Sequence, residues 1–95
     1  MPGYNRAEIS VELTVVTTTE AERPPQAQVE ESKQAARDSG LAHEAGPETT
    51  VLAGGRPEVL EAMRKVIEAS LDAGAKAVRV EVEAQGDAAS FDESS

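Results

Sequence analysis

The side chains able to do chemistry are few. His43 is the single imidazole, and the chain has no cysteine. Thiolate catalysis, disulfides and cysteine-based metal sites are therefore excluded. No second histidine completes a metal set. No nucleophile elbow presents a serine to His43. The run AGGRPE, 53–58, lacks the Lys-Ser/Thr that closes a phosphate loop. Glu30-Glu31 and Glu81/Glu83 pair carboxylates, but at spacings that suit solvated faces of a helix and a strand. The expectation is a protein that is not an enzyme, with no catalytic residue, no metal and no cofactor.

Binding chemistry has more to work with. In GPETTVLAGG, 46–55, Thr49 and Thr50 stand at the entrance of an apolar run that two glycines close. Gly46-Pro47 and Gly54-Gly55 are what a break between strands and a tight strand-to-helix turn require. Threonine is a good strand former, so the pair can be purely architectural. Its hydroxyls can also donate and accept at the edge of a heterocycle, and Glu48 beside them can balance a positive charge. His43 alternates with Leu41 and Ala45, either as a pocket-lining donor or as a partly buried histidine satisfied by backbone. The helix expected over 26–39 turns Val29, Ser32, Lys33 and Ala36 toward the core. Small or polar residues there leave volume, and pockets combine an apolar wall with a few polar groups. The candidate ligand-binding residues are thus Thr49, Thr50, Glu48, His43 and Ser32, with Glu12 behind them, between the first helix and the sheet. The aromatics, Tyr4 and Phe91, lie near the two ends and offer no stacking platform there.

The elements that must position these residues can be read from periodicity. AEISVELTVV, 7–16, alternates: Ile9, Val11, Leu13 and Val15 on one face, Glu8, Ser10, Glu12 and Thr14 on the other. Pro24-Pro25 ends a polar loop and suits a helix start, and Gly40 suits its end. Short strands are expected at 41–46 and 49–53. The segment 57–73 repeats Val59, Leu60, Met63, Val66, Ile67, Ser70 and Leu71 at helical spacing, with Glu58 and Glu61 near its positive end. Residues 76–84 alternate again, Val78, Val80 and Val82 against Arg79, Glu81 and Glu83. The order β-α-β-β-α-β predicts an α+β ferredoxin-like sandwich, a four-stranded antiparallel sheet with two helices on one face. The helices are expected to cover Ile9, Val11, Val78 and Val80, with Leu60 and Ile67 in the core. A single domain over 1–86 and an acidic disordered tail over 87–95 are expected.

Composition narrows the partners. Eighteen acidic residues stand against nine basic ones in 95 residues, a net charge of −9. That excludes the clustered basic surface that nucleic acid and anionic membranes require. No run approaches the ~18 apolar residues of a membrane span, and MPGYNRAEIS has no signal-peptide core. A cytoplasmic protein is expected. An aliphatic core this small suits an oligomer, a homodimer or a homotetramer of two dimers.

SGLAHEAGPETTVLAGG, 39–55, resembles the family of small thiamine-binding, ferredoxin-like domains. Gly40-Leu41, Glu44, Pro47, Thr50-Val51-Leu52 and Gly54 fit the family pattern in register. SVELTVV, 10–16, is similar to the family's first strand and brings Glu12 and Thr14 into line with it. Helix 57–73 and AGAKAVRVEVE match in spacing, so the resemblance spans about residues 7–84. Glu48-Thr49 stands where the family has Met-Gly, Ala53 where it has Glu, and Ile67 where it often has His; the family has an aromatic at the position of His43. The resemblance implies a non-enzymatic domain that binds thiamine or its pyrimidine moiety for sequestration or carriage. The alternative is an oligomeric structural or protein-interaction module of the same fold that has lost the ligand.

Overall fold

The structure is a computed structural model and describes residues 7–43 and 46–84. The elements are β1 (Ile9–Val16), α1 (Pro25–Ser39), β2 (Ala42–His43), β3 (Thr49–Gly54), α2 (Arg56–Asp72) and β4 (Ala77–Ala84). β1 pairs antiparallel with β3 on one side and β4 on the other. These three strands make the body of the sheet. β2 adds only two residues at the outer edge of β3, with Ala42 opposite Leu52 and His43 opposite Val51. The strand order is β2-β3-β1-β4, which is consistent with a ferredoxin-like sandwich. The expected fourth strand over 41–46 is thus cut down. Leu41 and Gly46 lie outside any strand, and Glu44 and Ala45 are outside the described residues, as is the expected acidic tail, 87–95.

The alternation of β1 sets the core. Ile9, Val11, Leu13 and Val15 are buried on the helix side, while Glu12 is exposed on the other. Leu52 of β3, Ala36 of α1, and Val59, Ala62 and Val66 of α2 pack with them. Burying one such aliphatic side chain contributes about 1.5–3 kcal/mol. Leu60 is a correction: it is 38 % exposed. It lies about 100° round the helix from Val59, which takes the central buried position. Ile67 packs against the core only in part. Val80 is a second correction, because it too is left exposed, at 39 %. α2 lies over β1, and of the β4 valines Val78 packs against the core.

The helix ends follow local chemistry. Pro25 opens α1, and Gly40 closes it in the left-handed conformation (φ 77°), its N–H bonded to the Arg37 carbonyl. α2 starts after Gly55 with no cap from its own first residue. Glu8, from just before β1, supplies the acceptor instead: its carboxylate receives the Arg56 N–H at 2.8 Å, at the positive end of the helix.

Candidate functional site

The margin where α1 meets the turn 46–49 carries the residues of interest. Two side chains of α1 build it. Lys33 extends its ammonium to that turn and donates to the Gly46 carbonyl at 2.8 Å and the Thr49 carbonyl at 3.0 Å. Gln28 is fully buried and acts as a clamp. Its Nε2 donates to the carbonyls of Thr18 and Arg23 at 2.9 and 2.8 Å, and its Oε1 accepts the Thr18 N–H at 3.0 Å. The polar loop 17–24 is therefore tied to α1 through one amide. In the sequence Lys33 reads only as one of the small or polar residues on the inward face of the first helix, and Gln28 does not stand out. The available signal was a long polar side chain on the inward face of a helix, opposite loops whose carbonyls need donors.

Between these ties lies Ser32. It is 1 % exposed, and its hydroxyl has no hydrogen-bond partner, not even the carbonyl a turn back that helical serines commonly use. Buried hydroxyls are bonded in the large majority of cases, so a bare one requires a cause. Thr50 is also buried, at 4 %, and faces the helices because it stands opposite Leu13. Ser32 and Thr50 thus share the helix side of the sheet.

The other expected residues fall elsewhere. Thr49 stands opposite Thr14 on the open face, and their hydroxyls meet at 3.3 Å. Glu12 is on that same open face, opposite Val51 of β3 and Glu81 of β4. Glu48 is exposed on the turn and makes no ion pair among the described residues. The backbone of His43 lies in β2, and its side chain lies outside what is described. The six residues therefore do not converge on one point: strand alternation puts Thr49 and Thr50 on opposite faces.

Two clefts flank α1. One, of about 410 Å³, lies at the margin just described and is lined by Thr17, Pro25, Gln26, Val29, Glu30, Pro47 and Glu48. Glu30 is neutralised by Arg37 at 2.8 Å, which leaves Glu48 as the uncompensated carboxylate of this cleft. Val29 lies one turn before Ser32 on the same side of α1. The other cleft, of about 690 Å³, runs between the end of α1 and the start of α2 and holds none of the expected residues. Its Glu61 is committed to Arg64 at 2.7 Å. The Arg64 hydrogen bond, and next its charge, hold that carboxyl below its usual value near 4.5, and the same contacts raise the Arg64 guanidinium.

Fold and clefts together define a small α+β domain in which, among the described residues, no group of acidic or histidine side chains could hold a metal ion. The chain belongs to the thiamine-binding protein family, whose model matches residues 11–88. Among solved structures it is similar to a domain of unknown function, DUF77, from Bacillus cereus. The identity is 22%, over 83% of this chain and 75% of that one, with a TM-score of 0.65. At that identity the likeness is one of fold. No curated protein matches. No helix among the described residues is long and apolar enough to cross a membrane.

Proposed function

We propose that the chain is a non-catalytic binding domain for thiamine or its pyrimidine moiety, used to sequester or carry it, with the ligand at the margin between α1 and the 46–49 turn. Family membership supports the ligand class. The observation that carries the location is the buried, unpartnered Ser32 hydroxyl beneath α1. A heterocycle entering past Val29 would meet that hydroxyl and Thr50, which offer a donor and an acceptor to an aminopyrimidine edge. Glu48, exposed and without an ion-pair partner among the described residues, would face the thiazolium cation.

Titration calorimetry tests this with thiamine and the neutral pyrimidine on three proteins. Thr50→Val, nearly isosteric, should weaken both ligands about 5- to 150-fold, the equivalent of one buried hydrogen bond of about 1–3 kcal/mol. Glu48→Gln should weaken thiamine more than the uncharged pyrimidine. A parent chain that gives no heat with either ligand at millimolar concentration ends the binding reading. The interaction-module reading would then stand, and one observation favours it independently: Leu71 of α2 and Val82 and Val80 of β4 are 51 %, 49 % and 39 % exposed.

A further inference from the structure

The ladder leaves the start of β3 in need of a donor. The Val15 N–H donates to the Glu48 carbonyl at 2.9 Å, and Leu13 and Val11 stand opposite Thr50 and Leu52. Even residues of β3 therefore turn their main-chain groups toward β1, and odd residues turn theirs toward the β2 side. β2 reaches only as far as His43, opposite Val51. The Thr49 carbonyl lies past that point. Main-chain carbonyls left off a ladder need another donor. Lys33 supplies it, to Thr49 at 3.0 Å and to Gly46 at 2.8 Å.

Little else ties this turn to α1. The Thr49 N–H reaches the Gly46 carbonyl at 3.4 Å, a long bond. Pro47 has no N–H to give. The Glu48 carbonyl is held from the other side, by β1. Yet the turn is one wall of the 410 Å³ cleft: Pro47 and Glu48 face Pro25, Val29 and Glu30 of α1. Lys33 lies four residues after Val29, on the same side of the helix and one turn further along. It bridges helix and turn at that end of the cleft.

The charges are arranged unusually. Lys33 gives its ammonium to two neutral carbonyls and makes no ion pair among the described residues. Glu48, on the very turn that Lys33 holds, keeps its carboxylate unpaired among them. Arg37 already answers Glu30. A lysine present to balance Glu48 would meet its carboxylate. Here the cation is committed to the main chain, and the carboxylate is left for something else.

We propose, resting on the ligand reading above, that Lys33 is the positioning residue of this site: it holds the 46–49 turn so that Glu48 faces the cleft, and through Glu48 it sets the preference for a cationic ring over a neutral one. The sign of its effect is distinctive. By charge alone, removing Lys33 would help a cation bind, since like charges repel. Acting through the turn, its removal harms the cation.

Titration calorimetry with thiamine and the neutral pyrimidine reads the ratio of the two affinities. Circular dichroism and melting confirm that each variant is folded. Lys33→Met should lower the preference for thiamine by about two- to fivefold, the size of one exposed charge contact. Lys33→Arg, which keeps the charge and can donate to both carbonyls, should retain it. Glu48→Gln should lower the preference by a similar factor in the parent and add little in the Lys33→Met background, because the two changes remove one interaction. Hydrogen exchange on the unliganded chain gives a readout free of ligand: the Val15 and Thr49 amides should exchange faster in Lys33→Met, and the Thr18 amide, tied to Gln28, should not.

A parent that binds, with a preference unchanged or raised in Lys33→Met, overturns the proposal and leaves the ligand reading standing. Additive effects of Lys33→Met and Glu48→Gln overturn it too, as does a loss of preference in Lys33→Arg equal to that in Lys33→Met. Unchanged exchange of the turn amides overturns it whether or not a ligand binds. A parent silent toward both ligands at millimolar concentration ends the ligand reading and this selectivity with it.

Discussion

Replacing Ser32 by alanine should raise the stability of the unliganded chain while lowering its affinity for ligand. The Ser32 hydroxyl is buried at 1 % exposure and has no hydrogen-bond partner. A buried hydroxyl left unsatisfied costs about 1–3 kcal/mol. Ser32 lies inside α1, where alanine is the better helix former by a few tenths of a kcal/mol. Against this stands the loss of one small atom's packing, of order 0.5–1 kcal/mol at a site that cannot fully collapse. The balance is a gain of about 1 kcal/mol, or a rise in Tm of roughly 4–8 °C for a domain of this size. Calorimetric melting of parent and variant reads it directly. A fall of a degree or more in Ser32→Ala would show that the hydroxyl is bonded in solution and would remove the physical basis for placing a ligand beneath α1. The same variant, titrated with thiamine, should bind more weakly than the parent. A protein that gains stability and loses affinity from one atom carries a group held ready for something it does not itself contain.

Other perturbations separate the roles of neighbouring residues. Gln28→Ala removes the partner of three main-chain groups in the 17–24 loop and should cost about 2–4 kcal/mol, with proteolysis at that loop the sensitive readout. Leu52→Ala, at a fully buried position, should cost about 2–5 kcal/mol in a chemical melt. Leu60→Ala, at 38 % exposure, should cost less than half as much. The Glu61 carboxyl titrates lower in the folded chain than its usual value near 4.5, so its contribution is present above that pH and fades as pH falls through the lowered value. Both side chains are about half exposed and the pair is screened by water, so the effect on stability is small: Arg64→Met should lower the neutral plateau slightly and flatten the acid limb, the two profiles drawing together in acid.

Much of this architecture is legible in the sequence because periodicity is a local property. The alternation of Ile9, Val11, Leu13 and Val15 names the buried face of β1, and all four are buried. Proline at the start and glycine at the end delimit α1 within a residue of its observed span. The family resemblance, resting on Gly40-Leu41, Pro47 and Thr50-Val51-Leu52, agrees with the match over residues 11–88. Tertiary structure decided what depends on distant neighbours. Leu60 and Val80 fit their periodic patterns yet stay more than a third exposed, because the core centres on β1 and the outer strand is only partly covered. Adjacent Thr49 and Thr50 read as one pair in the chain, and the pleat of β3 sends one to Thr14 on the open face and the other under the helices. Lys33 and Gln28 look like flaws in an apolar stripe. They are donors to carbonyls 13 to 16 and 5 to 10 residues away, a need that exists only once those loops have been folded against α1.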